Sequence, residues 1–417
     1  MNNTNNDPRS VIQSASQAAS QAASQAVTQS TEQGKTPDES VGHKPKAIGW
    51  RAFYKRHERH GPAAFFVAGF LFDVLTLGRI DDPFTIFSQL VYLSIVSVVW
   101  RWELLSSLSS HVEAKVRLGF LARWRDRFWR YHDEIVHFLY GSLLSAYTLF
   151  YFKSASLATS FVFMLVLAVL LVANELSRFQ RSGPHLRLAL LSLCWISYFS
   201  YVIPTLFGFV GWVPFTLAVG TGVLVIFALL KWTETGGSSA LEVMAFQLRK
   251  GRAIALIVAL GLTLAYAFRW LPPVPIAALE IGVYHHVEKV PGGFYQVRYV
   301  RPWYAIWQSG AQTFAARPGD KVHVFARVFA PGRFRDEIRV RWLKRGGRGW
   351  EGTDSIPLSL VGGRDEGFRG FAFKQNYSPG LWRVQLETTE GREISRISFE
   401  VIEDLGTDER EWRARLF

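Results

Sequence analysis

Long apolar stretches separated by short polar loops occupy the middle of this 417-residue chain. A helix needs roughly 20 mostly apolar residues to cross a bilayer core about 30 Å thick. Stretches that approach this length predict about seven membrane spans, at 63–77, 84–100, 136–152, 157–174, 188–210, 213–230 and 253–268. The first and last are short, so six spans remain an alternative. The pattern predicts a membrane α-helical bundle.

Lysine and arginine are distributed unevenly among the loops of this bundle. They are concentrated before the first stretch and in every second loop after it, whereas the intervening loops hold only Arg79 and Lys153. Because basic loops are retained in the cytoplasm, the N-terminus is predicted to be cytoplasmic, and seven spans place everything after Arg269 outside. Much of the net charge of +13 then faces anionic headgroups of the cytoplasmic leaflet. We therefore expect the bilayer as a partner, and no nucleic acid.

The two ends of the chain differ from its middle. Residues 1–45 are a Ser/Gln/Ala-rich tract with too little apolar surface to fold, and are predicted to be a disordered tail. Residues 46–270 form the polytopic membrane domain. The Cys194 thiol, the only one in the chain, lies within a predicted span, so the region that follows must fold without an intrachain disulfide.

In residues 271–417 the pattern changes to short alternating segments. Prolines after Trp270 end the last helix. Eight candidate strands follow, separated by Pro-Gly and Gly-Gly turns, at 282–290, 293–300, 321–330, 337–344, 355–361, 367–375, 381–388 and 394–402. Strands of this length and spacing predict a C-terminal all-β, immunoglobulin-like sandwich outside the cytoplasm.

The loop at 101–134 has aromatic and aliphatic residues at helical spacing, with arginines between them. A basic amphipathic helix of this kind lies in the membrane interface. The simpler interpretation is an anchor that obeys the positive-inside rule. The functional alternative is contact with lipid headgroups through Arg123, Arg125, Arg127 and Arg130.

Asp73 and Lys153 are predicted at a similar depth near the outer face of two different spans. Because a charge at membrane depth is costly, such residues usually pair or serve a function. We predict an intramembrane ion pair between them. A proton or ion relay is the alternative use of the same two groups.

A second polar group is predicted near the cytoplasmic surface. His132, Glu134 and His137 open the third stretch, and Glu175 and Arg178 end the fourth. These residue types bind divalent metals or transfer protons, so they are the candidate catalytic residues. The histidines of HDEIVH are five apart and not the four of a zinc-protease helix. The simpler interpretation is that these residues cap helix ends and form ion pairs. We predict no metal site and no cofactor.

In the outer region, Trp350 lies between Gly349 and Glu351 in a turn-rich stretch. It is the candidate for stacking on a ligand such as a sugar ring, whereas the other aromatic residues on alternating strands are predicted to form the core. His285 and His286 are adjacent in a strand and point to opposite faces, so they do not readily bind one metal.

Several segments resemble a known family. In the outer region they are LPPVPIAALEIGVYHHVEKV, RPGDKVHVFARVFAP, RVRW at 339–342, SPGLWRVQLETTEG and ISFEV. In this order they resemble the bacterial domain of unknown function 2914, an uncharacterised family that often follows membrane spans. FLFDVLTLGRID and HFLYGSLLSAYTLFYFKSAS look like the membrane region that accompanies it, so the resemblance covers most of the chain after residue 60. It implies a bacterial inner membrane and a periplasmic C-terminal domain, and it brings no activity, catalytic residue or cofactor.

Three classes of function fit this plan. We favour an integral inner-membrane protein whose periplasmic sandwich is a non-enzymatic binding or assembly module for a protein, glycan or lipid. The alternative is a membrane-embedded enzyme or transporter with a polar site near His137 and Glu175, although no internal repeat of the transporter kind is visible. A sensor is the third class, weakened because no signalling domain is visible on the inner side. The ligand and the oligomeric state are left open.

Overall fold

The computed structural model describes residues 79–109, 132–174, 183–235, 241–305, 307–331, 337–359 and 367–417. These residues form six α-helices followed by eleven β-strands. The Ser/Gln/Ala-rich tract, the first predicted span at 63–77 and most of the predicted interfacial helix lie outside the described residues.

The helices coincide with the second to seventh predicted spans. They are α1 Pro83–Ser109, α2 His132–Lys153, α3 Leu157–Asn174, α4 Pro184–Phe207, α5 Trp212–Glu234 and α6 Leu241–Ala267. Trp100, near the end of α1, donates a hydrogen bond to the Pro184 carbonyl at the start of α4, and the ring of Trp212 at the start of α5 lies 4.7 Å from that of Tyr266 near the end of α6. The helices of each of these two pairs therefore run in opposite directions.

Not all of these helices meet the requirements for a membrane span. In the described part of the chain, four are long and apolar enough, at Pro83–Ser107, Pro184–Phe207, Trp212–Glu234 and Ala245–Ala267, and a shorter apolar helix covers Thr159–Ala173. The prediction of about seven spans is corrected accordingly. Neither α2 nor α3 reaches that length over its described side chains, which run without interruption from Phe138 to Lys153 and from Thr159 to Ala173.

Helix α4 lies in the centre of the bundle, where it packs on α1, α2, α5 and α6. Its neighbours come close because small residues face it. A Cβ added at Gly222 of α5 would lie only 2.7 Å from the Ile196 side chain of α4. Tyr201 of α4 donates a hydrogen bond of 2.8 Å to the Gln89 side chain of α1. The core of the bundle is therefore closely packed at α4 and includes a buried polar pair between α1 and α4.

The strands form three sheets. They are β1 Ala277–Tyr284, β2 His286–Val290, β3 Phe294–Tyr299, β4 Thr313–Ala316, β5 Val322–Phe329, β6 Glu337–Gly346, β7 Gly349–Ser359, β8 Phe368–Lys374, β9 Gly380–Thr388, β10 Glu393–Glu403 and β11 Arg413–Leu416. The sheet orders are β4–β10–β9–β6–β7, β1–β5–β8 and β11–β3–β2. Every pairing is antiparallel except that of β4 with β10.

One buried apolar cluster joins the three sheets and includes Trp342, Phe314 and Phe325. The β11–β3–β2 sheet adds to it through Phe325, whose ring lies 4.9 Å from that of Phe417 and 5.5 Å from that of Tyr295. Residues 277–416 thus form a β-sandwich-like region, which confirms the predicted all-β character. The third sheet was not predicted.

The helices and the strands meet at one end of the bundle and belong to one compact unit. Val210, in the loop between α4 and α5, is part of the buried cluster of the strands, whereas Phe329 at the end of β5 packs against that of the helices. The loops at this end are 79–82, 154–156, 208–211 and 268–276. They are the loops that carry few basic residues.

Candidate ligand-binding site

The turn between β9 and β10 binds the ends of two helices. Glu390 accepts a hydrogen bond of 2.8 Å from the backbone N–H of Trp212, the first residue of α5. A carboxylate is favourable there because the exposed N–H groups of a helix N-terminus carry partial positive charge. The buried guanidinium of Arg392 lies 3.2 Å from the ring centre of Tyr266 in α6, and that ring stacks on Phe215 at 3.7 Å. These contacts hold the turn against the bundle.

Close approach of this turn depends on a glycine. Gly211 precedes α5 with a φ of 144°, and a Cβ added to it would lie 2.6 Å from the Glu390 carboxylate. A side chain at this position would therefore displace the carboxylate from the helix end. Nearby, Ser156, in the loop between α2 and α3, donates a hydrogen bond to Glu393 of β10.

A cavity of about 610 Å³ lies where the ends of α1 and α2 face β1 and β5. We call it the junction cavity. Its wall is mostly apolar and includes Phe152 of α2, Leu279 of β1 and Phe329 of β5. Two cations, Arg79 and Lys153, also line it, and no acidic side chain does so among the described residues.

The two cations have different surroundings. The Arg79 guanidinium is held by Asp81 at 2.9 Å and lies 5.3 Å from the ring centre of Phe329. Lys153 is the last residue of α2 and is exposed, and it has no carboxylate within ion-pair distance among the described residues. The junction cavity thus combines apolar walls with positive charge, which suits a ligand that has an apolar part and an anionic group.

Of the predicted ion pair, the structure describes only one partner. Lys153 lies at the junction cavity, whereas Asp73 lies outside the described residues. The pair therefore stays a prediction. The lipid-interface candidates Arg123, Arg125, Arg127 and Arg130 likewise lie outside the described residues.

The polar group predicted near the cytoplasmic surface is also untested. The backbone of His132, Glu134 and His137 lies in α2, but their side chains lie outside the described part, as do Glu175 and Arg178 as whole residues. Among the described residues, no group of three or more histidine, cysteine or acidic side chains is arranged to hold a metal ion. A catalytic role for these residues stays a prediction.

Trp350 is half-buried at the start of β7, and cations lie near its ring. The guanidinium carbon of Arg383 is 3.9 Å from the ring centre, and that of Arg345 is 5.5 Å away. In contrast, Trp303 and Trp307 are 78% and 74% exposed. The sequence signal for their exposure is their position beside Arg301-Pro302, outside the alternating segments.

The two adjacent histidines have opposite environments. His285 is buried, with its ring stacked 4.1 Å from that of Phe314, whereas His286 is exposed. Burial, reinforced by the positive charge of Arg410, lowers the pKa of His285 to about 4. His285 therefore stays neutral near pH 7 and acts as a core residue.

Comparison with known proteins gives one family match. The model of the family described as "Protein of unknown function (DUF2914)" matches residues 335–401, from just before β6 into β10. No curated protein matches the chain significantly.

Two solved structures are only distantly similar. An immunoglobulin-like protein from Pseudomonas aeruginosa is 11% identical in sequence and has a TM-score of 0.18. The alignment covers 30% of this chain and 97% of that protein. The second is an alkylpurine DNA glycosylase from Pseudomonas fluorescens, bound to DNA with an abasic-site analogue. It is 11% identical in sequence, the alignment covers 78% of this chain and 100% of that protein, and the TM-score is also 0.18. At these TM-scores neither likeness supports an argument about fold or function.

The family match lies within the region for which the sequence predicted it. It covers the paired strands β6, β7, β8 and β9 and most of β10, but not the helices. The resemblance is thereby confirmed for the C-terminal region, where residues 335–401 carry a domain of the DUF2914 family of unknown function.

Proposed function

We propose that this chain is a multi-pass inner-membrane protein that binds an anionic amphiphile, a lipid or a lipid-linked glycan, in the junction cavity. In this proposal it is a binding or assembly module and not an enzyme. The observation that carries the proposal is the meeting of an apolar wall with Arg79 and Lys153 at the helix ends.

Membrane insertion is supported by the outer surfaces of the helices. Four helices are long and apolar enough to span a bilayer. On α3, Phe161, Leu165 and Val169 follow one another at intervals of four residues, and each is more than half exposed. Soluble proteins seldom expose such a continuous apolar stripe, whereas lipid chains cover it without cost.

The proposed orientation is a cytoplasmic N-terminus and a periplasmic β region. Its support is that the helix ends in contact with the strands carry few basic residues, whereas the opposite ends carry residues such as Arg101, Lys231 and Arg252. That asymmetry follows the positive-inside rule. A span at 63–77, which would precede the six described helices, and an immunoglobulin-like arrangement of the two larger sheets belong to the same proposal. The bacterial inner membrane is part of the proposal because the resemblance to the DUF2914 family, which residues 335–401 match, implies it.

The depth of the junction cavity favours an amphiphile. Lys153 ends α2, so in a membrane its ammonium group lies near the headgroups, where phosphates are found. Phe152 and Leu279 offer apolar surface to an acyl chain beside that charge. A volume of about 610 Å³ is within the range of roughly 300–1,000 Å³ that is typical of small-molecule sites.

The experiment compares lipids retained by the purified full-length protein in a mild detergent, measured by native mass spectrometry. We expect retention of phosphatidylglycerol over phosphatidylcholine. Lys153→Gln should weaken this preference, whereas Lys231→Gln, in the last turn of α5 at the opposite end of the bundle, is the matched control.

A second variant tests the cavity itself. Ala278→Trp places a large side chain in the wall of the junction cavity and should abolish retention while the melting temperature stays unchanged. Equal retention of both lipids by the wild type, or equal effects of the two lysine variants, would contradict the proposal.

A further inference from the structure

A second groove, of about 480 Å³, lies on the β1–β5–β8 sheet beside β11. Three arginines line it, Arg327 of β5, Arg369 of β8 and Arg415 of β11. Leu279, Phe294 and Phe417 are among its other lining residues. We call it the arginine groove.

The strand register forces two of these arginines together. Arg327 lies directly opposite Arg369 in the antiparallel β5–β8 pair. Directly opposite side chains share a face with Cβ atoms about 5 Å apart, and like charges in such a pair destabilise a sheet. Glu280 lies opposite Arg327 on the other side, but its carboxylate pairs with Arg415 at 3.2 Å. An anion bound between the arginines would relieve this repulsion.

Arg327 is the central residue of the set. Its guanidinium group has no hydrogen-bond or ion-pair partner among the described residues, and its Nε atom is buried without an acceptor. A buried guanidinium N–H that lacks an acceptor is costly. The main-chain oxygen of Phe417, which also lines the groove, already accepts a hydrogen bond from the Tyr295 N–H at 2.9 Å. The missing acceptor points to a ligand.

Aromatic rings fix the other two guanidinium groups. Arg369 lies 5.8 Å from the ring centre of Phe294, and Arg415 lies 4.4 Å from that of Phe417. Stacking of this kind orients the planar guanidinium and reduces the entropy lost when it binds an anion. The arrangement suits phosphate, because guanidinium groups bind its oxygens in a bidentate manner.

We infer that the arginine groove binds a phosphate group carried on a sugar or lipid headgroup. Leu279 lines both the arginine groove and the junction cavity, so one ligand is able to occupy both. This inference rests on the proposed function for the source of the phosphate. The anion site itself depends only on Arg327, Arg369 and Arg415.

The first arm of the test uses a soluble probe. Isothermal titration of the full-length protein in detergent with glucose 1-phosphate should show binding, and neutral glucose should show none. Arg327→Gln should weaken binding at least about tenfold, the loss expected for a charge-assisted hydrogen bond. Arg348→Gln, which removes an exposed arginine in the β6–β7 turn, is the matched control and should bind as the wild type does.

The second arm uses nanodiscs of phosphatidylcholine with or without phosphatidic acid. If Arg327→Gln lowers the association of the protein with phosphatidic acid, the ligand is a lipid headgroup. If the variant lowers only the binding of glucose 1-phosphate, the ligand is a free phosphorylated sugar. If Lys153→Gln does not alter phosphatidylglycerol retention while Arg327→Gln still weakens glucose 1-phosphate binding, the junction cavity fails and the arginine groove stands, so the two failures are distinguishable. Absence of Arg327-dependent binding in both arms would overturn the inference.

Discussion

Glu390 and Trp212 join the two halves of the molecule, because the carboxylate in the β9–β10 turn accepts the first backbone N–H of α5 at 2.8 Å. The contact is stabilised by the partial positive charge of the helix N-terminus and by Arg392, which lies 3.7 Å from the same carboxylate. It fixes the β region to the bundle at a defined helix end.

Gly211→Ala tests this contact. The new Cβ would lie 2.6 Å from the Glu390 carboxylate, and the φ of 144° is strained for alanine. We expect a loss of about 1–3 kcal/mol in the free energy of unfolding, measured by thermal unfolding in detergent.

The matched control is Gly183→Ala. Gly183 also precedes a helix, but its φ is −65° and no atom lies within 4 Å of an added Cβ. Its melting temperature should stay at the wild-type value. Equal melting temperatures for both variants would show that the Glu390 contact does not constrain the chain.

Arg392→Met tests the stacked cation. The substitution keeps much of the side-chain volume but removes the charge that lies over Tyr266 and beside Glu390. We expect the free energy of unfolding to fall by about 1–2 kcal/mol, as for loss of a desolvated cation–π contact. Arg345→Met, which acts on an exposed pair with Trp350, should cost less than about 1 kcal/mol. A larger effect at Arg345 than at Arg392 would refute this ranking.

The pH dependence of stability should report on His285. Its folded-state pKa of about 4 lies below the unfolded value of 6.5, so the unfolded state binds the proton more readily. Stability is therefore full above pH 6.5 and falls as the pH drops towards 4, by about 1–2 kcal/mol between pH 7.5 and pH 5. Burial also lowers the pKa of His323, which adds to the same trend.

His285→Phe retains the stacking on Phe314 and should reduce this pH dependence, as measured by melting temperatures at both pH values. His286→Phe, at the exposed neighbour, should leave it at the wild-type level. Arg410 and Asp320, whose charges act on His285 with opposite signs, are unchanged in both variants. An unaltered profile in His285→Phe would mean that other groups cause the acid sensitivity.

Cysteine labelling tests the orientation. Cys194 is buried in α4, so the wild-type protein should not react with a membrane-impermeant maleimide. In spheroplasts, Trp307→Cys, at an exposed position of the β region, should react at once. Arg252→Cys, at the opposite end of the bundle, should react only after the membrane is opened. The reverse pattern would place the β region in the cytoplasm.

The helices were predictable because an apolar run long enough to cross a bilayer is a local property. The strand prediction was less complete. The segment 282–290 was predicted as one strand, but it divides at His285 between β1 and β2 of different sheets. β4 was missed because its partner β10 lies far along the chain, and β11 because it is short and exposed.

The candidate site was only half visible in the sequence. Arg79 and Lys153 stand out as the basic residues of loops that carry few others, but nothing near them in the sequence indicates Leu279 or Phe329. The arginine groove shows the same limit, since Arg327 and Arg369 become neighbours only through the β5–β8 register. Cavities formed by residues distant in sequence require the tertiary fold.

The exchange of Val210 and Phe329 between the two buried clusters has a mechanical consequence. Because each half of the molecule inserts an apolar side chain into the other, the β region has no free hinge against the bundle, and on the proposed function it stands at a constant height above the bilayer. The separation between the junction cavity and the arginine groove is then set by the fold. On the proposed function, this fixed separation selects amphiphiles whose headgroup has a matching length.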